Sequence, residues 1–126
     1  MVIAALSAWH EEHDAAARAL ESVTALPEHV MLEAYSVLTR LPSGLAVPAA
    51  VAADVLGRRF GDSPLRLPDS DRAAILKTLA GAGVVGGAGY DGLVALEAQA
   101  HQRVLVSLDR RAQETYRRLR IPFQTP

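Results

Sequence analysis

The sequence contains no cysteine. Disulfide staples, thiolate metal sites and cysteine nucleophiles are therefore all excluded, and a reducing compartment fits. No apolar run approaches the roughly 20 residues that a membrane-spanning helix needs. The opening Met1-Val2-Ile3-Ala4-Ala5-Leu6 is too short for a secretory signal and has no basic leader, so a cytoplasmic protein is expected. An excess of one charge is also missing: the formal net charge is −1, which denies the chain the global basic character of a duplex-binding protein. There is no internal repeat and no low-complexity linker.

What is present suits one compact domain over residues 1–126, since domains commonly run about 100–150 residues. Helical patterns alternate with short strand-like runs, the signature of an α/β domain with a parallel sheet. Helices are expected over residues 9–23, from Glu28 or His29 to Arg40, and over residues 49–60 behind Pro48, which suits a helix start. Gly61-Asp62-Ser63-Pro64 should end the third of these. Leu65-Arg66-Leu67 alternates like a strand, and Asp69 or Ser70 should cap a helix running through Leu79 to a stop at Gly81 and Gly83. A further helix follows Gly86-Gly87-Ala88-Gly89, residues 103–106 read as the most strand-like run, and residues 110–119 as a charged helix. Ile121-Pro122-Phe123 reads as an edge strand.

Two aspartates stand where such a fold does chemistry. Asp91 lies in the first turn of its helix and Asp109 just past a strand, and in parallel α/β sheets strand ends and helix starts line the ligand crevice. Each also has a plain structural role open to it, Asp91 as an anion at a positive helix end and Asp109 as a helix cap. Glu33 shares a helix face with Val30 and Val37, a stripe expected to point inward, although a helix-edge glutamate reaching water fits the same pattern. If Glu33, Asp91 and Asp109 converge, carboxylates about 5 Å apart repel by roughly 3 kcal/mol at an effective dielectric near 20, and a divalent cation would resolve the conflict.

Other motifs are weaker. His10 and His13 lie three apart on an expected helix face, but without a His-Glu-x-x-His pattern a solvated face fits better than a metal site. The glycines at 86, 87 and 89 lack the lysine of a phosphate loop, and there is no Gly-x-Ser-x-Gly elbow. A phospho-acceptor or nucleotide-binding module would need carboxylates at a strand end together with a lysine or a glycine loop, and the latter is not found. Arg110, Arg111, Arg117, Arg118 and Arg120 form a basic cluster that suits either a polyanion or a solvated helix end.

Three blocks in order, residues 27–38 (PEHVMLEAYSVL), 90–95 (YDGLVA) and 105–111 (LVSLDRR), resemble the PIN domain, specifically the toxins of VapBC toxin–antitoxin pairs. The resemblance covers nearly the whole chain. It implies an α/β, PIN-like three-layer fold with a short parallel sheet flanked by helices. It also implies a Mg²⁺- or Mn²⁺-dependent endoribonuclease, homodimeric, cytoplasmic and silenced by a VapB-type antitoxin. Glu33, Asp91 and Asp109 match the acidic set that holds metal or activates water, and Ser107 matches a small hydroxyl residue two positions before the last aspartate. The family begins with a strand ending in Asp-Thr-Ser or Asp-Thr-Asn, whereas Val2-Ile3-Ala4-Ala5-Leu6 resembles the helix after it. The first strand and its aspartate are thus expected to be missing from this chain, and the alternative is a catalytically weak or inactive PIN-like module that still binds an antitoxin.

Overall fold

A computed structural model describes residues 1–61 and 64–126. Its contacts group into two compact units, Val2–Pro64 and Leu65–Pro126, the latter joined by Met1.

The first unit is helical. It contains α1 (Val2–Leu6), α2 (His13–Glu21), α3 (Glu28–Thr39) and α4 (Ala49–Phe60). α1 packs on α2 and α3, and α3 packs on α4. The buried side chains repeat every four residues, Ala16 and Leu20 on α2, Ala34 and Leu38 on α3, then Ala52, Leu56 and Phe60 on α4, so each helix turns one narrow stripe inward. Arg59 Nη2 donates to the Leu20 carbonyl at 2.6 Å, tying α4 to the end of α2. α4 matches the expected span residue for residue, with Pro48 in extended geometry as its cap. The expected break at Gly61-Asp62-Ser63-Pro64 lies partly outside the described residues.

The helix expected over residues 9–23 is shorter and begins only at His13. Two tight turns precede it, closed by the His10 N–H to the Ser7 carbonyl and the His13 N–H to the His10 carbonyl, each at 2.9 Å, and the Glu12 N–H donates to His10 Nδ1 at 3.1 Å. His10 therefore lies outside the helix, and the expected shared face of His10 and His13 does not form. His13 Nδ1 instead meets the Ala4 carbonyl at 2.9 Å.

The second unit contains α5 (Asp69–Arg72), α6 (Ile75–Gly81), α7 (Ala88–Ala100), β1 (Leu105–Val106), α8 (Arg110–Arg118) and β2 (Phe123–Gln124). β1 and β2 pair in parallel, Leu105 opposite Phe123 and Val106 opposite Gln124, with α8 as the crossover. Ala95 of α7, Ala112 and Tyr116 of α8 and Ile121 form a core, onto which Leu96, Leu105, Leu119 and Phe123 pack. The fully buried methyl of Ala95 leaves room for helix and sheet to approach closely. The class is α/β as expected, rich in helix around a short parallel sheet.

Two expectations for this unit are corrected. The alternation at Leu65-Arg66-Leu67 yields no strand; only Leu65 reaches bridging geometry, while Leu67 is buried by packing. The helix expected from Asp69 to Leu79 is split, because the Ala74 N–H bonds back to Asp71 over three residues at 3.1 Å and Ala74 itself sits at φ −99°, ψ −3°. α6 stops in a Schellman arrangement. The Val84 N–H reaches the Leu79 carbonyl at 2.9 Å, the Gly83 N–H reaches that of Ala80 at 3.0 Å, and Gly83 takes φ +68°.

Candidate active site

The best-built polar feature of the second unit surrounds the end of β1. The Ser107 N–H extends the sheet by one bond, donating to the Gln124 carbonyl at 3.0 Å. Ser107 is buried, and its Oγ accepts the Asp109 N–H at 3.1 Å, which turns the chain out of the sheet. Asp109 then caps α8: Oδ1 accepts the backbone N–H groups of Arg111 at 2.8 Å and Ala112 at 3.2 Å. Both bonds use the same oxygen, and Oδ2 engages no described residue. The aspartate is thus a structural cap with one carboxylate oxygen facing solvent.

Gln113 completes this arrangement. Its Nε2 donates to the Ser107 carbonyl at 2.8 Å and approaches Thr125 Oγ1 at 3.4 Å, and the side chain is buried. No sequence motif marked it. The available signal was its register on the inward face of α8 with Ala112 and Tyr116, where a polar side chain has to find partners.

Asp91 occupies the first turn of α7 and is half-buried. α7 has Gly87 as its N-cap with no side-chain cap, and a carboxylate in the first turn complements the macrodipole. Glu97, also on α7, is buried against the stripe of Val94, Ala95 and Ala98.

Glu33 lies at the edge of its helix rather than on the inward stripe. On α3 the buried positions are Ala34 and Leu38, with Val30 and Val37 only partly covered, and Glu33 is exposed. It precedes Ala34 by one residue, about 100° around the helix, enough to carry it off the inward stripe. Of the two orientations open to it, Glu33 takes the solvent-facing one within the first unit. Among the described residues of either unit, no three His, Asp or Glu side chains gather into a set that could hold a metal ion.

The basic cluster divides along α8. Near its end, Arg117 and Arg118 pair with Glu114 at 3.5 and 3.6 Å, Arg117 stacks over the Phe123 ring at 5.2 Å, and Arg118 donates to the Gly83 carbonyl at 3.2 Å. At its start, Arg110 and Arg111 are exposed and form no ion pair with any described residue. Among the described residues no helix is long and apolar enough to cross a membrane.

Comparison with known proteins places this geometry in context. The PIN domain model matches residues 1–118, spanning parts of both units. Ribonuclease VapC40 of Mycobacterium tuberculosis is 38% identical over 124 residues, covering 98% of this chain and 92% of the relative. Ribonuclease VapC27 of the same organism is 39% identical over 116 residues, covering 92% of this chain and 77% of the relative. No solved structure matches.

Proposed function

The chain belongs to the PIN-domain family, and on that premise we propose that it is a divalent-metal-dependent endoribonuclease, the toxin of a type II toxin–antitoxin pair, acting in the cytoplasm. The supporting observation is Asp109, held by two backbone N–H groups at the exit of a parallel strand with its second oxygen left to solvent. Asp91 stands at the start of α7, and helix starts and strand ends share a rim in this class of sheet. Both units belong to one PIN domain in this reading, and Glu33 on α3 is the third acid of the proposed set.

Asp91, Asp109 and Glu33 offer only hard carboxylate oxygens, the donor type that Mg²⁺ or Mn²⁺ prefers, although among the described residues no three such side chains gather into one set. Such an ion, when bound, lowers the pKa of a coordinated water and offsets charge on a phosphate oxygen. The chain's own residues position the acids: the α8 cap orients Asp109, and Asp91 stands in the first turn of α7.

A partner surface is available. Leu32 and Tyr35 on α3 and Val51 and Val55 on α4 expose apolar side chains, which suits contact with an antitoxin helix or a second copy of the chain. The same observation favours the second reading, a PIN-like module that binds an antitoxin without cutting RNA.

Incubating the purified chain with end-labelled RNA, with Mg²⁺ or Mn²⁺ and then with excess EDTA, separates the two. Metal-dependent fragments that disappear in Asp91→Asn support the nuclease. A stable antitoxin complex from a chain that leaves RNA intact under every metal condition supports the binding module.

A further inference from the structure

Gln113 is a buried amide that the proposed chemistry does not use, yet three elements meet at its side chain. Ser107 follows β1, Gln113 lies on α8, and Thr125 follows β2. The amide nitrogen bonds to the Ser107 carbonyl at 2.8 Å and to Thr125 Oγ1 at 3.4 Å. From the other side of the same residue, the Ser107 hydroxyl accepts the Asp109 N–H. Asp109 in turn is followed one helical turn later by Gln113, whose N–H donates to the Asp109 carbonyl at 3.0 Å. The bonds form a closed loop, Ser107 to Asp109 to Gln113 and back to Ser107.

We propose that Gln113 is a positioning residue of the nuclease, one that fixes the carboxylate of Asp109 by locking the Ser107–Asp109 turn to α8. The inference rests on the reading of Asp109 as a site residue. A turn held only by the cap bonds could pivot about Ser107. With the Ser107 carbonyl tied to α8, both ends of the turn belong to one rigid body, and Oδ2 keeps a fixed direction. Groups that orient a ligating carboxylate commonly affect metal affinity or activity by 10–100-fold when removed.

Gln113→Met tests this, because methionine keeps the length and burial of the side chain and removes only its hydrogen bonds. Mn²⁺ affinity is measured by calorimetry without RNA, and backbone hydrogen exchange is followed at Arg111 and Ala112, whose N–H groups report the cap. Ile121→Val serves as the comparison, a core change that destabilises without touching the loop. The expected result is an Mn²⁺ dissociation constant raised about tenfold or more and faster exchange at both amides in Gln113→Met, with neither change in Ile121→Val. Wild-type Mn²⁺ affinity and exchange in Gln113→Met overturn the proposal, as do equal shifts in both variants. Failure of the wild-type chain to bind Mn²⁺ or cut RNA defeats the nuclease reading instead; the exchange data then still decide whether Gln113 holds Asp109.

Discussion

The Arg111 N–H donates to Asp109 Oδ1 at 2.8 Å, so the carboxylate proposed for chemistry is also the cap of α8. The two roles separate by substitution. Asn caps a helix about as well as Asp, whereas Ala loses about 1 kcal/mol at such a position. Asp109→Asn should therefore melt close to the wild-type chain, and Asp109→Ala several degrees lower. Both should lose RNA cleavage by about a hundredfold or more if the charge is needed. Thermal melts alongside cleavage rates check this; an active Asp109→Asn would restrict the residue to its capping role.

Glu33 offers the opposite arrangement, a candidate ligand with no structural duty. It is exposed on α3 beside the inward stripe, and surface substitutions of that kind usually change stability by less than about 0.5 kcal/mol. Glu33→Gln should leave the denaturation midpoint unchanged while abolishing metal-stimulated cleavage. Cleavage at the wild-type rate would remove Glu33 from the site.

Arg110 and Arg111 stand in the first turn of α8, where the macrodipole disfavours cations, and neither forms an ion pair with a described acid. They are well placed to meet RNA phosphates beside Asp109. Fluorescence anisotropy with a labelled single-stranded RNA over roughly 50 to 200 mM salt gives the slope of log affinity against log salt. That slope should shrink by about 0.7 for each phosphate that an arginine no longer neutralises. Arg110→Ala with Arg111→Ala should show this change. Arg117→Ala, which removes a residue engaged with Glu114 and Phe123, should lower stability and leave the slope nearly intact.

Gly83 closes α6 at φ +68°, and a side chain in left-handed backbone costs about 1–2 kcal/mol. Gly83→Ala should be destabilised by about that amount in urea denaturation. Space is not the cause, since an added Cβ would lie 3.5 Å from Arg118 Nη1, an ordinary van der Waals distance.

Local chemistry in the sequence foretold several of these features. Pro48 before a run of small and apolar residues marked α4 from first residue to last, and Ser107-x-Asp109 marked the start of α8. Packing decided what local chemistry could not. Leu65-Arg66-Leu67 alternates, but among the described residues it pairs into no strand, and only Leu65 reaches bridging geometry. Glu33 has apolar neighbours on both sides, so period alone did not reveal that Ala34 and Leu38 carry the burial. Gln113 was invisible because its role depends on a carbonyl six residues earlier and a hydroxyl twelve later.

The parallel pairing of β1 and β2 also sets an order of assembly. A hairpin can zip from its turn, but Leu105 meets Phe123 only after the chain has left the sheet, wound α8 and come back. The return is steered at Arg120, where φ reaches 57° and the next residue, Ile121, bonds to the Tyr116 carbonyl at 2.9 Å. The tail thus behaves as a latch that shuts late. A protease nick within residues 110–118 would spring the latch.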